Sequence, residues 1–208
     1  MRIGFIGAGN IGTALAQNLV AAGHDVALSN SRGPDTLADL VASLGPTAAA
    51  ATVEDAIEFA DILVVTVPLH AVSTLPTKGT EGKTLIDTCN YYPARDGQID
   101  VLDSDEQTET EFVAAHFAGA NVVKAFNSIY SVHLAEQGKP GTPPGTRRGI
   151  PIAGASEAAK REVAQLIDQI GFDPVDAGEL SNTRRVQNGG DLYGADLTGD
   201  ELAAALRS

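Results

Sequence analysis

A glycine-rich turn near the start of the chain constrains its fold more than any other feature. Gly7-Ala8-Gly9-Asn10-Ile11-Gly12 follows a short apolar run and opens a segment with helical spacing of apolar residues. A lone G-x-G-x-x-G is weak evidence, but between a strand and a helix it is typical of a dinucleotide-binding turn. Its glycines permit the tight turn, the close approach of a pyrophosphate and the packing of helix on strand. The motif therefore predicts that residues 7–12 hold a dinucleotide at a helix N-terminus, the alternative being a plain glycine turn.

Apolar runs of strand length alternate with helical patterns along the first 130 residues. We predict strands at 2–7, 25–30, 48–51, 62–67, 83–90 and 121–129, and helices at 10–22, 35–44, 53–60 and 111–117. After a Gly- and Pro-rich loop at 138–149 we predict a strand at 150–153, a helix at 157–170 and a strand at 173–177. This alternation is typical of a parallel sheet with helices on both faces.

The end of the second predicted strand indicates which dinucleotide is bound. An NAD site usually places an acidic residue there to bind the ribose 2′-hydroxyl. Here Asn30, Ser31 and Arg32 take that place, with no carboxylate among them. Because a guanidinium can grip a phosphate through a fork of charge-assisted hydrogen bonds, these residues favour the 2′-phosphate of NADP(H). The alternative is a solvated loop arginine beside a turn asparagine.

The fold class that follows is α/β, a Rossmann-type doubly wound and mainly parallel sheet with a small C-terminal extension. We predict one NADP-binding, Rossmann-like domain over residues 1–180. The tail, residues 181–208, carries a short helix at 199–206 and is expected to belong to the same domain.

Further candidates for the cofactor site lie where later strands end, at the edge that binds ligands in open α/β sheets. Val67, Pro68 and His70 follow the central strand, Asn90 ends the next strand, and Asn127 lies on the one after. His70 is the one candidate for a catalytic role, and a surface histidine opening a helix is an equally good interpretation. Asn127 could hydrogen-bond the nicotinamide carboxamide.

The residues that would bind the second substrate, the hydride acceptor, are less clearly indicated by the sequence. Tyr91 and its neighbour Tyr92 could wall a flat ring, or could simply pack locally. Arg148 and Arg184 stand in basic pairs of an acidic chain and could bind an anionic acceptor, or could only balance surface charge. Lys124 is either a general acid or the partner of a carboxylate.

Composition excludes several classes of function. The formal net charge is −13, which argues against nucleic acid or an anionic membrane as partner. Cys89 is the only cysteine, which rules out an internal disulfide and a multi-cysteine metal site, and we predict no metal. The acidic residues between 96 and 111 lack calcium-loop spacing and indicate a solvated loop. No leader or membrane span is visible, so we expect a cytoplasmic protein.

With these residues in hand, the chain resembles the NADPH-dependent coenzyme F420 reductases, also called F420-dependent NADP oxidoreductases. The resemblance covers nearly the whole chain and rests on segments 4–16, 29–34, 64–68, 122–129 and 151–180. It implies cofactor contacts by Gly9, Asn10, Ile11, Ser31 and Arg32, with Pro68, His70 and Asn127 lining the nicotinamide pocket. Similar modules form the cytoplasmic domain of six-transmembrane ferric reductases, where NADPH passes a hydride to a flavin.

The expected function is therefore an NADP-dependent oxidoreductase that transfers a hydride between NADP(H) and coenzyme F420, FMN or FAD. Such a transfer needs little acid–base help from the protein, because the cofactors carry the chemistry. Two alternatives stay open: a non-enzymatic NADPH-binding sensor, and an NADPH-dependent reductase of a small carbonyl or imine. Partners would be small redox cofactors, and a homodimer stays open.

Overall fold

The computed structural model describes residues 1–208, and its strands form one eight-stranded sheet. In chain order the strands are β1 (Arg2–Ile6), β2 (Asp25–Ser29), β3 (Ala48–Ala50), β4 (Ile62–Val65), β5 (Thr84–Asp87), β6 (Asn121–Lys124), β7 (Gly149–Gly154) and β8 (Asp173–Gly178). Their order across the sheet is β3-β2-β1-β4-β5-β6-β7-β8. The chain reverses its direction of winding between β1 and β4, which is the switch point where α/β sheets bind ligands.

Helices connect most of these strands. They are α1 (Asn10–Ala21), α2 (Ala38–Leu44), α3 (Val53–Phe59), α4 (Pro93–Asp96), α5 (Asp100–Asp103), α6 (Glu109–His116), α7 (Ser131–Glu136), α8 (Glu157–Gln169) and α9 (Gly199–Arg207). Short 3-10 segments lie at Pro34–Leu37, Leu69–Thr74 and Leu180–Arg185. None of the helices is both long enough and apolar enough to cross a membrane.

The central strands are apolar on both faces because helices cover both. All four residues of β4 are buried. Ile62 and Val64 belong to a core cluster with α1 and α8, whereas Leu63 and Val65 belong to a second cluster with α3 and α6. This is the two-sided burial that makes parallel strands read as continuous apolar runs. The Rossmann-type fold is confirmed.

The last two strands depart from the parallel pattern. β7 runs antiparallel to β6 and pairs with it at only two positions, Val123 with Gly154 and Lys124 with Ala153. β8 then runs parallel to β7 and forms the edge of the sheet. α9 packs on β7 and β8, so the tail covers this end of the sheet.

Two predicted strands end earlier than expected. β5 ends at Asp87 and β6 at Lys124, although their apolar patterns were predicted to continue to residues 90 and 129. Beyond these points the backbone turns away from the ladder, and Phe126 takes a positive φ of 60°. Residues 88–90 and 127 therefore lie beyond the strand ends, where they line a cleft. Helix α7 and the short helices α4 and α5 were not among the predicted elements.

Candidate functional site

The glycine turn between β1 and α1 has a geometry that fits a dinucleotide. Gly7 has a φ of +111°, and a Cβ there would collide with the carbonyl oxygen of Thr66. A Cβ on Gly12 would lie 2.8 Å from the Gly7 carbonyl oxygen. A Cβ on Gly9, by contrast, would have no atom within 4 Å, so the backbone there is open to an incoming group. No side chain caps α1, which leaves its first N–H groups for an anion.

The loop after β2 carries the residues predicted to bind the 2′-phosphate. The Asn30 carboxamide shapes the loop: its Oδ1 accepts from the Arg32 N–H at 2.9 Å, and its Nδ2 donates to Thr36 Oγ1 at 2.9 Å. Ser31 and Arg32 are exposed, and the Arg32 guanidinium makes no hydrogen bond or ion pair within the chain. The loop therefore presents an unpaired cation beside the glycine turn, as a phosphate site requires.

A cleft of about 340 Å³ lies at the carboxyl ends of β1, β4, β5 and β6. It brings together Gly9, Asn10 and Ile11 with segments that are distant in sequence. Its remaining lining residues are Thr66, Val67, Pro68, Thr88, Cys89, Asn90, Tyr92, Arg95, Asn127, Ile129, Tyr130, Ser131 and Tyr193. The cleft thus contains most of the residues predicted for the nicotinamide end, and no Asp, Glu, His or Lys lines it.

Asn90 and Asn127 hold each other across two loops. Asn90 Nδ2 donates to the Asn127 carbonyl at 2.8 Å, and Asn127 Nδ2 donates to the Val186 carbonyl at 2.8 Å. Asn127 Oδ1 is buried and has no hydrogen-bond partner. A buried acceptor without a donor is costly, so this atom fits a ligand that brings an N–H group. The carboxamide of a nicotinamide is such a group.

A buried ion pair lies under the floor of the cleft. Lys124 Nζ donates to Asp87 Oδ2 at 3.0 Å and to the Cys89 carbonyl at 2.5 Å, while Asp87 Oδ1 accepts the Cys89 N–H at 2.8 Å. The Cys89 backbone is therefore held from both sides. Lys124 is fully buried and does not line the cleft, which favours the pairing interpretation over the general acid.

Glu109 stands beside this pair without being part of it. Its Oε2 lies 4.0 Å from Lys124 Nζ and has no hydrogen-bond partner. Burial raises the pKa of Glu109 to about 7, although the Lys124 charge opposes the rise. Burial also raises the pKa of the Cys89 thiol well above its usual range, so this thiol is not an activated nucleophile.

His70 lies outside the cleft and contacts Asp96 instead. Its Nδ1 is 2.8 Å from Asp96 Oδ1, and the Asp96 carboxylate also accepts from Arg95 and from the Tyr92 N–H. Burial opposes ionisation of Asp96, but these hydrogen bonds outweigh it and hold its pKa well below the usual range. His70 thus supports the segment that carries Tyr92 and Arg95; it does not line the cleft, and its role as a catalytic or nicotinamide contact stays a prediction.

Of the two tyrosines predicted to form an aromatic wall, Tyr92 lines the cleft and Tyr91 does not. The Tyr91 ring is buried in the second core cluster, and its hydroxyl lies 2.9 Å from the Asp103 carboxylate and accepts from the Ile99 N–H. Tyr92 lines the cleft, and its hydroxyl lies 2.6 Å from that of Tyr193. In an extended segment successive side chains point to opposite sides, so only one of the two tyrosines considered, Tyr92, lines the cleft.

The two arginines predicted to bind an acceptor lie elsewhere. Arg148 is buried, pairs with Asp196 and donates to the Ala195 carbonyl at 2.9 Å. Arg184 donates to the backbone and side chain of Asp105 in the acidic segment. Neither lines the cleft, so both tie the tail to the rest of the fold.

Sequence reasoning missed Arg95, Tyr130 and Tyr193 as lining residues. Arg95 adjoins the strand-end segment that had drawn attention, so its position could have suggested it. Tyr193 had no usable signal, because it lies in the weakly patterned tail and reaches the cleft only through tertiary packing.

The fold is of the Rossmann type, and the glycine turn and cleft have the geometry that fits a dinucleotide. Residues 2–91 match the family described as NADP oxidoreductase, coenzyme F420-dependent. The matched segment includes the glycine turn, the loop after β2 and the ends of β4 and β5. Over this N-terminal segment, which is somewhat less than half of its length, the chain is similar to that family.

Known proteins resemble the chain over most of its length. A crystal structure of hypothetical protein SMa0349 from Sinorhizobium meliloti is 32% identical, with a TM-score of 0.81 and 95% of each chain covered. A protein from Arthrobacter sp. fb24, provisionally described as an F420-dependent NADP-reductase, is 22% identical with a TM-score of 0.73, covering 88% of this chain and 87% of that one. At that identity the likeness shows the fold alone.

A curated relative adds a second similarity. Metalloreductase STEAP3 of Rattus norvegicus is 30% identical over 188 residues, which are 89% of this chain and 36% of that protein. The chain spans about a third of the length of the curated relatives it matches.

Proposed function

We propose that this protein transfers a hydride between NADP(H) and a flat redox cofactor, either the deazaflavin coenzyme F420 or a flavin. The observation that carries the proposal is a cleft that joins the glycine turn to an aromatic outer end and that has no Asp, Glu, His or Lys among its lining residues. Transfer between two bound ring systems depends on positioning them rather than on proton transfer by the protein. The family and the metalloreductase relative support the same class of reaction.

The residues on the glycine side would hold the dinucleotide. The open backbone at Gly9 and the free first turn of α1 fit the pyrophosphate. Arg32, which has no partner in the chain, fits the 2′-phosphate, and the unpartnered Asn127 Oδ1 fits the carboxamide. When bound, the nicotinamide supplies or accepts the hydride.

The other residues of the cleft would limit where that hydride goes. Val67 and Pro68 close one side of the cleft, and the loop at Cys89 and Asn90 is fixed by Lys124. A pocket whose walls are held in place favours transfer to a stacked ring over release to water.

The test is an anaerobic assay of NADPH oxidation with coenzyme F420, FMN and FAD side by side, and with NADH as the donor control. We expect bleaching of at least one acceptor with NADPH and much slower transfer from NADH. Arg32→Ala should weaken binding of NADPH by about tenfold or more, the value of one charge-assisted contact, and NADH binding far less.

Three results would change the proposal. Equal losses of NADPH and NADH binding in Arg32→Ala would remove the 2′-phosphate assignment. A folded protein that binds NADPH but reduces none of the three acceptors would favour the sensor. Reduction of a small carbonyl or imine, with none of the ring acceptors active, would favour the other alternative.

A further inference from the structure

The outer end of the cleft has three tyrosines and one arginine, none of which the dinucleotide assignment uses. Tyr92 and Arg95 follow β5, Tyr130 follows β6, and Tyr193 comes from the tail. Tyr130 is 63% exposed and Tyr92 is 37% exposed, which is unusual for large side chains in a molecule with few aromatics. Exposed aromatic side chains grouped at one opening mark a binding surface.

Two of these side chains are held in place before any ligand arrives. The Tyr92 and Tyr193 hydroxyls are 2.6 Å apart, and burial together with this hydrogen bond raises the pKa of Tyr193. The tail segment that carries Tyr193 is anchored at both ends. Asn188 Nδ2 donates to the Tyr91 carbonyl at 2.7 Å, and Arg148 donates to the Ala195 carbonyl at 2.9 Å.

The Arg95 guanidinium is also held in place, but one of its terminal nitrogens is free. Its Nε and Nη2 donate to the Asp96 carboxylate, Nη2 also donates to the Asn90 carbonyl at 2.7 Å, and its guanidinium carbon lies 4.8 Å from the centre of the Tyr92 ring. Nη1 has no partner in the chain. Because the Asp96 side chain is fully buried and takes four hydrogen bonds, it is a fixed support for the guanidinium and is closed to a ligand.

We propose that Tyr92, Arg95, Tyr130 and Tyr193 form the acceptor subsite, and that Arg95 selects ring acceptors that carry a phosphate on their side chain. The tyrosines provide faces for a flat heteroaromatic ring, and Arg95 Nη1 provides the donor for the phosphate. Arg95 is the only cation that lines the cleft, so it takes the role first sought in Arg148 and Arg184. The inference rests on the proposed function, because it names the acceptor class of that reaction.

The experiment compares pairs of ligands that differ only in the phosphate-bearing part. FMN is titrated against riboflavin, and coenzyme F420 against its phosphate-free deazaflavin core, into protein saturated with NADP⁺. Binding is followed by fluorescence, so no turnover is needed. The variants are Arg95→Gln, Arg95→Lys and, as a matched control, Arg161→Gln on the exposed surface of α8. Circular dichroism and melting temperature verify that each variant folds.

In at least one pair we expect the phosphorylated ligand to bind about tenfold or more tightly than its partner, as for a charge-assisted hydrogen bond. Arg95→Gln should abolish this preference, Arg95→Lys should keep part of it, and Arg161→Gln should leave it unchanged. Tyr193→Ala should weaken the binding of both ligands in a pair by the same factor, because the substitution removes a contact with the ring but no charge.

Three results would overturn the proposed subsite. They are a phosphate preference that survives in Arg95→Gln, equal affinities within both ligand pairs, and no binding of any of the four ligands. These outcomes are distinct from failure of the proposed reaction. A phosphate preference without hydride transfer would remove the reaction and keep the subsite. Hydride transfer without a phosphate preference would keep the proposed reaction and remove the phosphate-selecting subsite.

Discussion

The cleft has two walls that are built in different ways. The wall for the dinucleotide comes from Gly7, Gly9 and Gly12 and from the loop at Asn30 to Arg32, all within about 30 residues of chain, and it acts mainly through its backbone. The wall at the outer end acts through side chains, and its members at positions 92, 95, 130 and 193 are brought together from three separate segments. A backbone wall tolerates few substitutions at any one position, whereas a side-chain wall can change its ligand by single substitutions.

The largest expected effect is at Lys124, which supports the loop where the two walls meet. Lys124→Met leaves Asp87 buried without its partner and should lower the free energy of unfolding by about 3–5 kcal/mol. Urea denaturation measures this. The matched control is Lys160→Met, because Lys160 pairs with Asp176 and Glu157, which are more than half exposed and would remain hydrated. Equal losses in the two variants would contradict a special role for the buried pair.

The next effect concerns Glu109 and is a dependence on pH. Its folded-state pKa is about 7, above the usual value of 4.5, so between these values the folded protein holds a proton that the unfolded chain releases. The free energy of unfolding should therefore fall as pH rises from about 4.5 to 7, by up to roughly 3 kcal/mol.

Glu109→Gln should remove that part of the pH dependence and be more stabilising at pH 8 than at pH 5. Denaturation midpoints of the two proteins across this range give the comparison. A constant difference between them at all pH values would show that Glu109 does not titrate in this window.

A smaller effect separates two glycines of the backbone wall. Gly7→Ala forces a side chain into a positive φ, which costs about 1–2 kcal/mol, and into the Thr66 carbonyl, so the free energy of unfolding should fall by more than that. The Cβ added in Gly9→Ala would have no atom within 4 Å, so the free energy of unfolding should change by less than about 0.5 kcal/mol. The same substitution should weaken NADPH binding. Unfolding curves and NADPH titrations measure both. Normal NADPH affinity in Gly9→Ala would place the pyrophosphate elsewhere.

The smallest effect is expected at His70. His70→Ala removes one of several donors to Asp96 and should cost about 1 kcal/mol or less of stability. The rate of hydride transfer should change by less than about threefold, because His70 lies outside the cleft. A loss of a hundredfold in kcat, with normal folding, would return His70 to the reacting centre.

The difference between the walls also explains what the sequence could predict. The glycine turn and the polar loop after β2 are local patterns whose chemistry depends on neighbours in the chain, so positions 7–12 and 30–32 were found together. All eight strands were located: the buried ones are continuous apolar runs, whereas β3, which is not buried, was predicted mostly from its position in the alternation.

The outer wall could not be predicted in the same way. Tyr91 and Tyr92 were predicted together, because spacing alone does not say which of two neighbouring side chains faces a cleft. Arg148 was chosen for its charge, although its partners Asp196 and Ala195 lie more than 40 residues away along the chain. The true ends of β5 and β6 depended on Lys124 binding the Cys89 carbonyl, which is a contact between strands.

The short seam between β6 and β7 has a mechanical consequence. Two residue pairs join the six strands that carry the dinucleotide wall to the two strands that carry the tail. The other joints of the central sheet have four or more pairs, so the junction at β6 and β7 depends in large part on side chains of the tail, among them Asn188 on the Tyr91 carbonyl and Arg184 on Asp105. Substitution of these side chains would loosen the outer wall of the cleft, while the ladder behind the glycine turn would keep its own hydrogen bonds.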